Sequence, residues 1–147
     1  MIYGLLAIIA ASVVIDQIFK LLVVNTLEIG QSVPLIDGVF HFTYVQNFGA
    51  AFSILQNRQI LLIVVTGAVM AVMAVVLFKN AKKLSKIVNL SLALVVGGGI
   101  GNLLDRIRLG YVVDYLDFQL INFPVFNFAD CCVVIGALLL IVGVIRS

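Results

Sequence analysis

The chain has 147 residues, 63% of them hydrophobic and 11% charged, with a formal net charge of +2. A soluble domain is about half apolar and about a quarter charged, so this composition excludes a soluble globular protein and indicates one that crosses a membrane several times. The small net charge also gives no reason to expect nucleic-acid binding.

Four apolar segments approach the length of about 20 residues that a membrane-spanning helix needs. They predict helices at about 2–24, 60–78, 87–106 and 128–145. The first segment lacks the basic start of a secretory signal and stays apolar past its small residues, so we interpret it as a retained helix. The length accommodates one membrane-embedded domain, residues 1–147.

The connections after the first and third helices are not simple linkers. The segment at about 29–57 contains an Asp37-Gly38 turn followed by β-branched and aromatic residues at 39–45, a pattern typical of short strands. A second outer loop covers about 107–127. The predicted fold is an all-α polytopic membrane protein with four transmembrane helices, and with a small extracytoplasmic β-sheet and a loop over their outer ends.

The orientation follows from the loop at 79–86, which contains four lysines and no acid. The positive-inside rule places such a loop in the cytoplasm, so both termini are also cytoplasmic and the other two connections lie outside. His41 is the single histidine, and with only two cysteines the sequence has no metal-ligand spacing. Cys131 and Cys132 are neighbours on a predicted helix and point in different directions, so a disulfide between them is not expected. We therefore expect no metal and no cofactor.

The charged residues of the predicted helices share one property, because this orientation puts all of them near the outer ends. They are Asp16, Lys20, Asp105, Arg106 and Asp130, and the amides Gln17, Asn102 and Asn127 lie at the same depth. Independent structural ion pairs have no reason to share a depth, whereas a single polar site between helices does. Asp114 lies in an apolar, strand-like part of the outer loop, where it could face Asp130 and form an acid/base pair.

Three pairs of these residues also have structural explanations. Asp16 and Lys20 could form an ion pair within the first helix. Asp105 and Arg106 could anchor the end of the third helix, and Asn127 and Asp130 could cap the start of the fourth.

Two other functions stay open as well, a proton-coupled carrier and a structural subunit that pairs with partner helices. Carriers tend to place their sites near the midplane and to have repeat symmetry, which this sequence does not show.

Four blocks, in order along the whole chain, resemble the signature blocks of bacterial lipoprotein signal peptidases, also called signal peptidase II. The blocks are DQIFK at 16–20, NFGAAF at 47–52, GNLLDR at 101–106 with GYVVDY at 110–115, and FNFAD at 126–130. Phe19 departs from the family pattern, in which a hydroxyl residue is common before the lysine. The cysteines beside Asp130 are a minor variation.

The resemblance implies an aspartic endopeptidase of the bacterial inner membrane that cuts prolipoproteins on the N-terminal side of a diacylglyceryl-modified cysteine. It assigns catalysis to Asp114 and Asp130. It assigns contacts with substrate, or with the antibiotic globomycin, to Asn47, Asn102, Arg106 and Asn127. It assigns support of the site to Asp16, Lys20, Gly49, Asp105 and Ala129. We expect the protein to act as a monomer, with membrane lipid around it.

The chemistry of two close carboxyl groups agrees with that assignment, because such a pair shares a proton and can activate a water molecule. An apolar groove between the helices is expected to hold the acyl chains of the substrate. Residues 47–52 and 111–115 are expected to close over this groove, with Gly49 and Gly110 providing backbone freedom.

Overall fold

The computed structural model describes residues 1–49 and 58–146, and it has the predicted fold class. The elements in chain order are α1 (Ile2–Thr26), β1 (Ser32–Ile36), β2 (Phe40–Asn47), α2 (Gln59–Asn80), α3 (Lys86–Leu109), β3 (Val112–Phe118) and α4 (Phe128–Ile145). All four helices are long and apolar enough to cross a membrane. The chain is therefore a multi-pass membrane protein with a small sheet at one end of its helices.

The central helix of the bundle is α3, which packs against α1, α2 and α4. Its contact with α4 is close because small residues line it: a Cβ atom added at Gly98 would lie 2.4 Å from the backbone carbonyl oxygen of Ala129. Only Leu62 and Leu77 are buried in α2. The apolar surface that α2 leaves exposed is what a lipid-facing helix requires.

The three strands form one antiparallel sheet in the order β1-β2-β3. The β2–β3 register sets Asn47 opposite Val112 and Val45 opposite Asp114. The sheet packs on the end of α1 through a buried cluster that includes Val23, Tyr44, Val113 and Tyr115.

The change from α3 to β3 occurs at Gly110, which has φ 79° and donates its N–H to the Arg106 carbonyl. This left-handed helix ending favours glycine and turns the chain directly into β3. After β3, a 3₁₀ turn at Gln119–Ile121 and a bridge between Leu116 and Phe126 lead the chain to α4. The two connections bring the start of β3 and the start of α4 to the same place.

Candidate active site

Asp114 lies in β3 and is only 2% exposed. Its Oδ1 accepts a hydrogen bond from Nδ2 of Asn127 at 2.6 Å, and its Oδ2 accepts one from Nδ2 of Asn47 at 2.9 Å. Burial, and then the nearby charge of Asp130, raise the pKa of Asp114 to about 7. A carboxyl group with such a pKa exchanges a proton near neutral pH, as acid/base chemistry requires.

Asp130 lies in the first turn of α4, where it forms a capping box with Asn127. The Asn127 side chain accepts the Asp130 N–H at 2.9 Å, and the Asn127 N–H donates to Oδ2 of Asp130 at 3.2 Å. The cap predicted for this pair is therefore present. It does not exclude a role in the site, because Oδ1 of Asp130 accepts a further hydrogen bond from Nδ2 of Asn102 at 2.7 Å.

Asn127 links the two carboxyl groups and is completely buried. Its Nδ2 donates to Asp114 and also to Oδ1 of Asn102, the latter at 3.0 Å. Each carboxyl oxygen of Asp114 and Asp130 thus accepts an N–H from a neighbouring asparagine. These donors orient both groups and stabilise negative charge on them, while burial and mutual repulsion oppose a second charge.

Lys20 is the cation beneath this arrangement and is 3% exposed. Its Nζ lies 2.9 Å from Oδ2 of Asp16 and 2.9 Å from Oδ2 of Asp105. It also donates to Oδ1 of Asn102 at 2.8 Å. The ion pair predicted between Asp16 and Lys20 is present. Since Oδ1 of Asn102 accepts from both Lys20 and Asn127, the amide must direct its N–H toward Asp130.

Lys20, Asp16 and Asp105 form a buried ionic triad. Its two acids also accept hydrogen bonds from the backbone on either side of the site. Oδ1 of Asp16 accepts the N–H of Ala129 at 3.0 Å, and Oδ2 of Asp105 accepts the N–H of Val113 at 3.1 Å. Ala129 and Val113 are the residues immediately before Asp130 and Asp114. The triad therefore connects α1 and α3 to the backbone that carries both members of the carboxyl pair.

Gln17 joins the same network although sequence reasoning assigned it no role. Its Nε2 donates to Oδ1 of Asp105 at 2.9 Å and to Oδ2 of Asp16 at 3.2 Å, with a weaker bond to the Gly101 carbonyl at 3.3 Å. Asp16 and Asp105 share the single cation of Lys20, and the side-chain amide of Gln17 donates a further hydrogen bond to each of them. The available signal was its depth, which matches that of the other polar residues.

Arg106 reaches from α3 to the end of β2. Its Nη2 donates to the Gly49 carbonyl at 3.0 Å and its Nη1 to the Asn102 carbonyl at 3.4 Å. The Gly49 N–H in turn bonds to Oδ1 of Asn47 at 2.9 Å. Nε of Arg106 is buried with no hydrogen-bond partner among the described residues. Within that part of the chain, Asp105 forms its ion pair with Lys20 rather than with Arg106.

All eleven predicted site residues lie within the described part of the chain, around this one cluster. Of the segments expected to close over a groove, residues 112–115 belong to β3, whereas 50–52 lie outside the described residues. The described residues contain no group of three or more His, Cys, Asp or Glu side chains arranged to hold a metal ion. The chemistry that the geometry offers is that of a hydrogen-bonded carboxyl pair at the end of a helix bundle.

Comparison with known proteins gives consistent matches over nearly the whole chain. A family profile described as "Signal peptidase (SPase) II" matches residues 8–146. The lipoprotein signal peptidase of Halothermothrix orenii is 52% identical over 129 residues, covering 88% of this chain and 86% of the relative. That of Brevibacillus brevis is 44% identical over 135 residues, covering 92% and 90%. A solved structure described as "Bacterial membrane enzyme structure by the in meso method at 2.3 A resolution" matches with a TM-score of 0.92 and 28% identity, covering 99% of this chain and 90% of that chain.

Proposed function

The chain belongs to the signal peptidase II family, a family of membrane proteases that remove signal peptides from prolipoproteins, and we propose that Asp114 and Asp130 are its catalytic pair. Family membership removes the two alternatives considered from the sequence, a carrier and a structural subunit. The observation that carries the proposal is the position of Asn127, which donates through its side chain to Asp114 and through its backbone to Asp130.

The proposed reaction uses one proton shared between the two carboxyl groups. Two carboxyl groups held close together cannot both ionise readily, and burial strengthens this effect. The ionised group takes a proton from a water molecule, whose oxygen attacks the scissile carbonyl carbon. The protonated partner stabilises the developing oxyanion and then gives its proton to the leaving amine. Because the pair titrates as a unit, the shared proton belongs to both groups.

The remaining predicted contacts serve substrate binding in this proposal. The buried Nε of Arg106 has no hydrogen-bond partner among the described residues, and the amide groups of Asn102 and Asn47 donate to the carboxyl pair. Such groups can bind the substrate backbone and hold the scissile carbonyl in place. Asn127 is better suited to orienting the carboxyl groups, since its Nδ2 already has several protein acceptors.

The proposed location is the outer leaflet of the bacterial inner membrane. The lysine-rich loop lies before α3 and the site lies at its other end, and a helix of 24 residues spans about 36 Å. With that loop in the cytoplasm, both termini are cytoplasmic and the site faces outward. A diacylglyceryl-modified cysteine anchors its acyl chains in this leaflet, so the peptide bond before it can reach the level of the carboxyl pair.

The decisive experiment is cleavage of a purified prolipoprotein in lipidated and unlipidated forms. Asp114→Asn and Asp130→Asn should each abolish cleavage of the lipidated form, while the unfolding midpoint in detergent shows that the variants remain folded. Asp117→Asn is the matched control because Asp117 lies on the same strand and bonds to Thr43 and Gln119 instead. Cleavage at a near wild-type rate by Asp114→Asn or by Asp130→Asn would refute the assignment of these two residues as the catalytic pair, which we also call the dyad.

The same preparation tests the remaining expectations about ligands and assembly. Cleavage restricted to the lipidated substrate would support recognition of the diacylglyceryl group, and inhibition by globomycin would support the binding role given to Arg106 and the asparagines. Sedimentation in detergent should give the mass of one chain. Equal cleavage of both substrate forms would contradict the lipid requirement without affecting the dyad.

A further inference from the structure

A groove of about 230 Å³ lies between the end of α1 and the sheet. Its walls are Phe19, Leu22, Val23, Thr26, Leu27, Val33, Phe42 and Tyr115. An apolar cavity of about 150 Å³ already accommodates a benzene molecule, so this groove has room for a segment of hydrocarbon chain. We propose that it binds one acyl chain of a membrane phospholipid in the leaflet on the sheet side.

The chemistry of the walls selects for hydrocarbon. Among the described residues that line the groove, only Thr26 and Tyr115 have a side-chain hydroxyl, and that of Thr26 donates to the Leu22 carbonyl at 2.7 Å. The Tyr115 hydroxyl accepts the Phe128 N–H at 3.3 Å. None of these described wall residues is charged. A polar ligand would therefore lose its hydrogen bonds to water and gain few in return.

The position of the groove beside the membrane-spanning part of α1 indicates that its ligand comes from the lipid bilayer. Phe19 and Leu22 belong to the membrane-spanning α1 and are 46% and 54% exposed, so the groove continues the lipid-facing surface of that helix. Val33 forms the opposite edge on β1, every residue of which is exposed. Acyl chains of the surrounding bilayer thus meet the groove from the side. Because they are already surrounded by hydrocarbon, van der Waals packing against the groove walls, rather than the exclusion of water, would hold a chain there.

The strand geometry assigns the occupant to membrane phospholipid rather than to the substrate. Successive side chains of a strand point to opposite faces, so Tyr115 and Asp114 lie on opposite sides of β3. Asp114 faces Asn47 and Asn127, whereas Tyr115 lines the groove and stacks on Phe19 with ring centroids 6.3 Å apart. To reach this side, an acyl chain attached to the cleaved residue would have to leave the face of β3 on which Asp114 lies.

The absence of tryptophan from the sequence makes a direct test possible. A Phe42→Trp variant places a single reporter in the groove, and Leu138→Trp places one on the membrane-spanning α4, where Leu138 is 59% exposed. Each delipidated protein in detergent is titrated with phosphatidylglycerol that carries brominated acyl chains, which quench a contacting indole. If the groove binds the lipid about 1.4 kcal/mol more tightly than the surface of α4 does, the groove reporter is half quenched at an about tenfold lower lipid fraction than the α4 reporter.

Two further variants separate a bound chain from general contact with lipid. Val33→Phe fills the groove and should remove the difference between the reporters, whereas Leu35→Phe on the same strand, outside the groove and 63% exposed, should preserve it. Leu22→Trp provides a second groove reporter should Phe42→Trp fail to fold.

Equal titration midpoints for the groove and α4 reporters would overturn the proposal. So would quenching that appears only when the bromine is on a lipidated prolipoprotein, because the groove would then belong to the substrate. The measurement involves no cleavage, so its outcome is independent of whether the dyad assignment is correct.

Discussion

Removing the positive charge of Lys20 is the perturbation that most directly tests the buried network. Lys20 is 3% exposed, and its Nζ lies 2.9 Å from a carboxylate oxygen of Asp16 and 2.9 Å from one of Asp105. Lys20→Met keeps the length and the apolar stem of the side chain and removes the charge. Two buried aspartates then face each other without a cation, and the side-chain oxygen of Asn102 loses one of its two donors and keeps that of Asn127.

The expected loss of stability is large because the partners stay buried. Breaking a buried ion pair by removing one member costs about 3–5 kcal/mol, mostly from the charge that is left unpaired. Lys79→Met is the matched control, since Lys79 is exposed in the last turn of α2 and forms no ion pair among the described residues. Its loss should not exceed about 1 kcal/mol, the contribution of a cation at a helix C-terminus.

Unfolding in mixed micelles, followed by circular dichroism, measures both losses. Cleavage should also fall in Lys20→Met, because Asp16 and Asp105 hold the backbone next to both proposed catalytic aspartates. Adding Asp105→Asn should restore part of the stability, since it removes one of the unpaired charges. Equal losses for Lys20→Met and Lys79→Met, or no recovery in the double variant, would show that the triad is not a buried ionic network.

Three other predictions concern packing, capping and pH. Gly98→Ala should lower the free energy of unfolding by about 1–3 kcal/mol, because its Cβ would lie 2.4 Å from the Ala129 carbonyl oxygen. The control Gly67→Ala, whose Cβ would have no neighbour nearer than 3.9 Å among the described residues, should be neutral or stabilising in the same unfolding assay. Asn127→Ala should cost about 0.5–2 kcal/mol through the lost cap and should also lower the cleavage rate, and an unchanged rate would contradict its contact with the dyad. Because the pKa of Asp114 is raised from 3.8 to about 7, the native state binds this proton more tightly than the unfolded chain does. Stability should therefore fall as pH rises through that interval, and Asp114→Asn should reduce the fall, so an unchanged pH slope would contradict the shift.

The helices were predictable from the sequence because the property that defines them is local. Apolar character summed over about 20 residues identifies a membrane span without knowledge of its neighbours. The common depth of the polar residues follows from the same spans and from the lysine loop. The i,i+4 ion pair of Asp16 and Lys20 is also local, since both residues lie on one face of one helix.

The partner of Asp105 was not predictable in this way. Sequence spacing suggested Arg106, but the ion pair forms with Lys20 of α1. The reason is the close approach of α1 and α3 at Gly101, where an added Cβ would lie 2.6 Å from Oδ2 of Asp16. The missing side chain leaves room for the aspartate and for Gln17, whose role depends on the same approach.

The sequence by itself determined the four spans and the cap at the start of α4, because these depend on composition and on short-range spacing. Its resemblance to a known family identified the two aspartates as candidates. The tertiary structure decided that Asp114 and Asp130 both accept hydrogen bonds from Asn127, the first from its side-chain amide and the second from its backbone N–H. That contact depends on the turn at Gly110 and on how β3 pairs with β2, which join residues distant along the chain. Packing between elements sets such contacts, and no local pattern in the sequence specifies it.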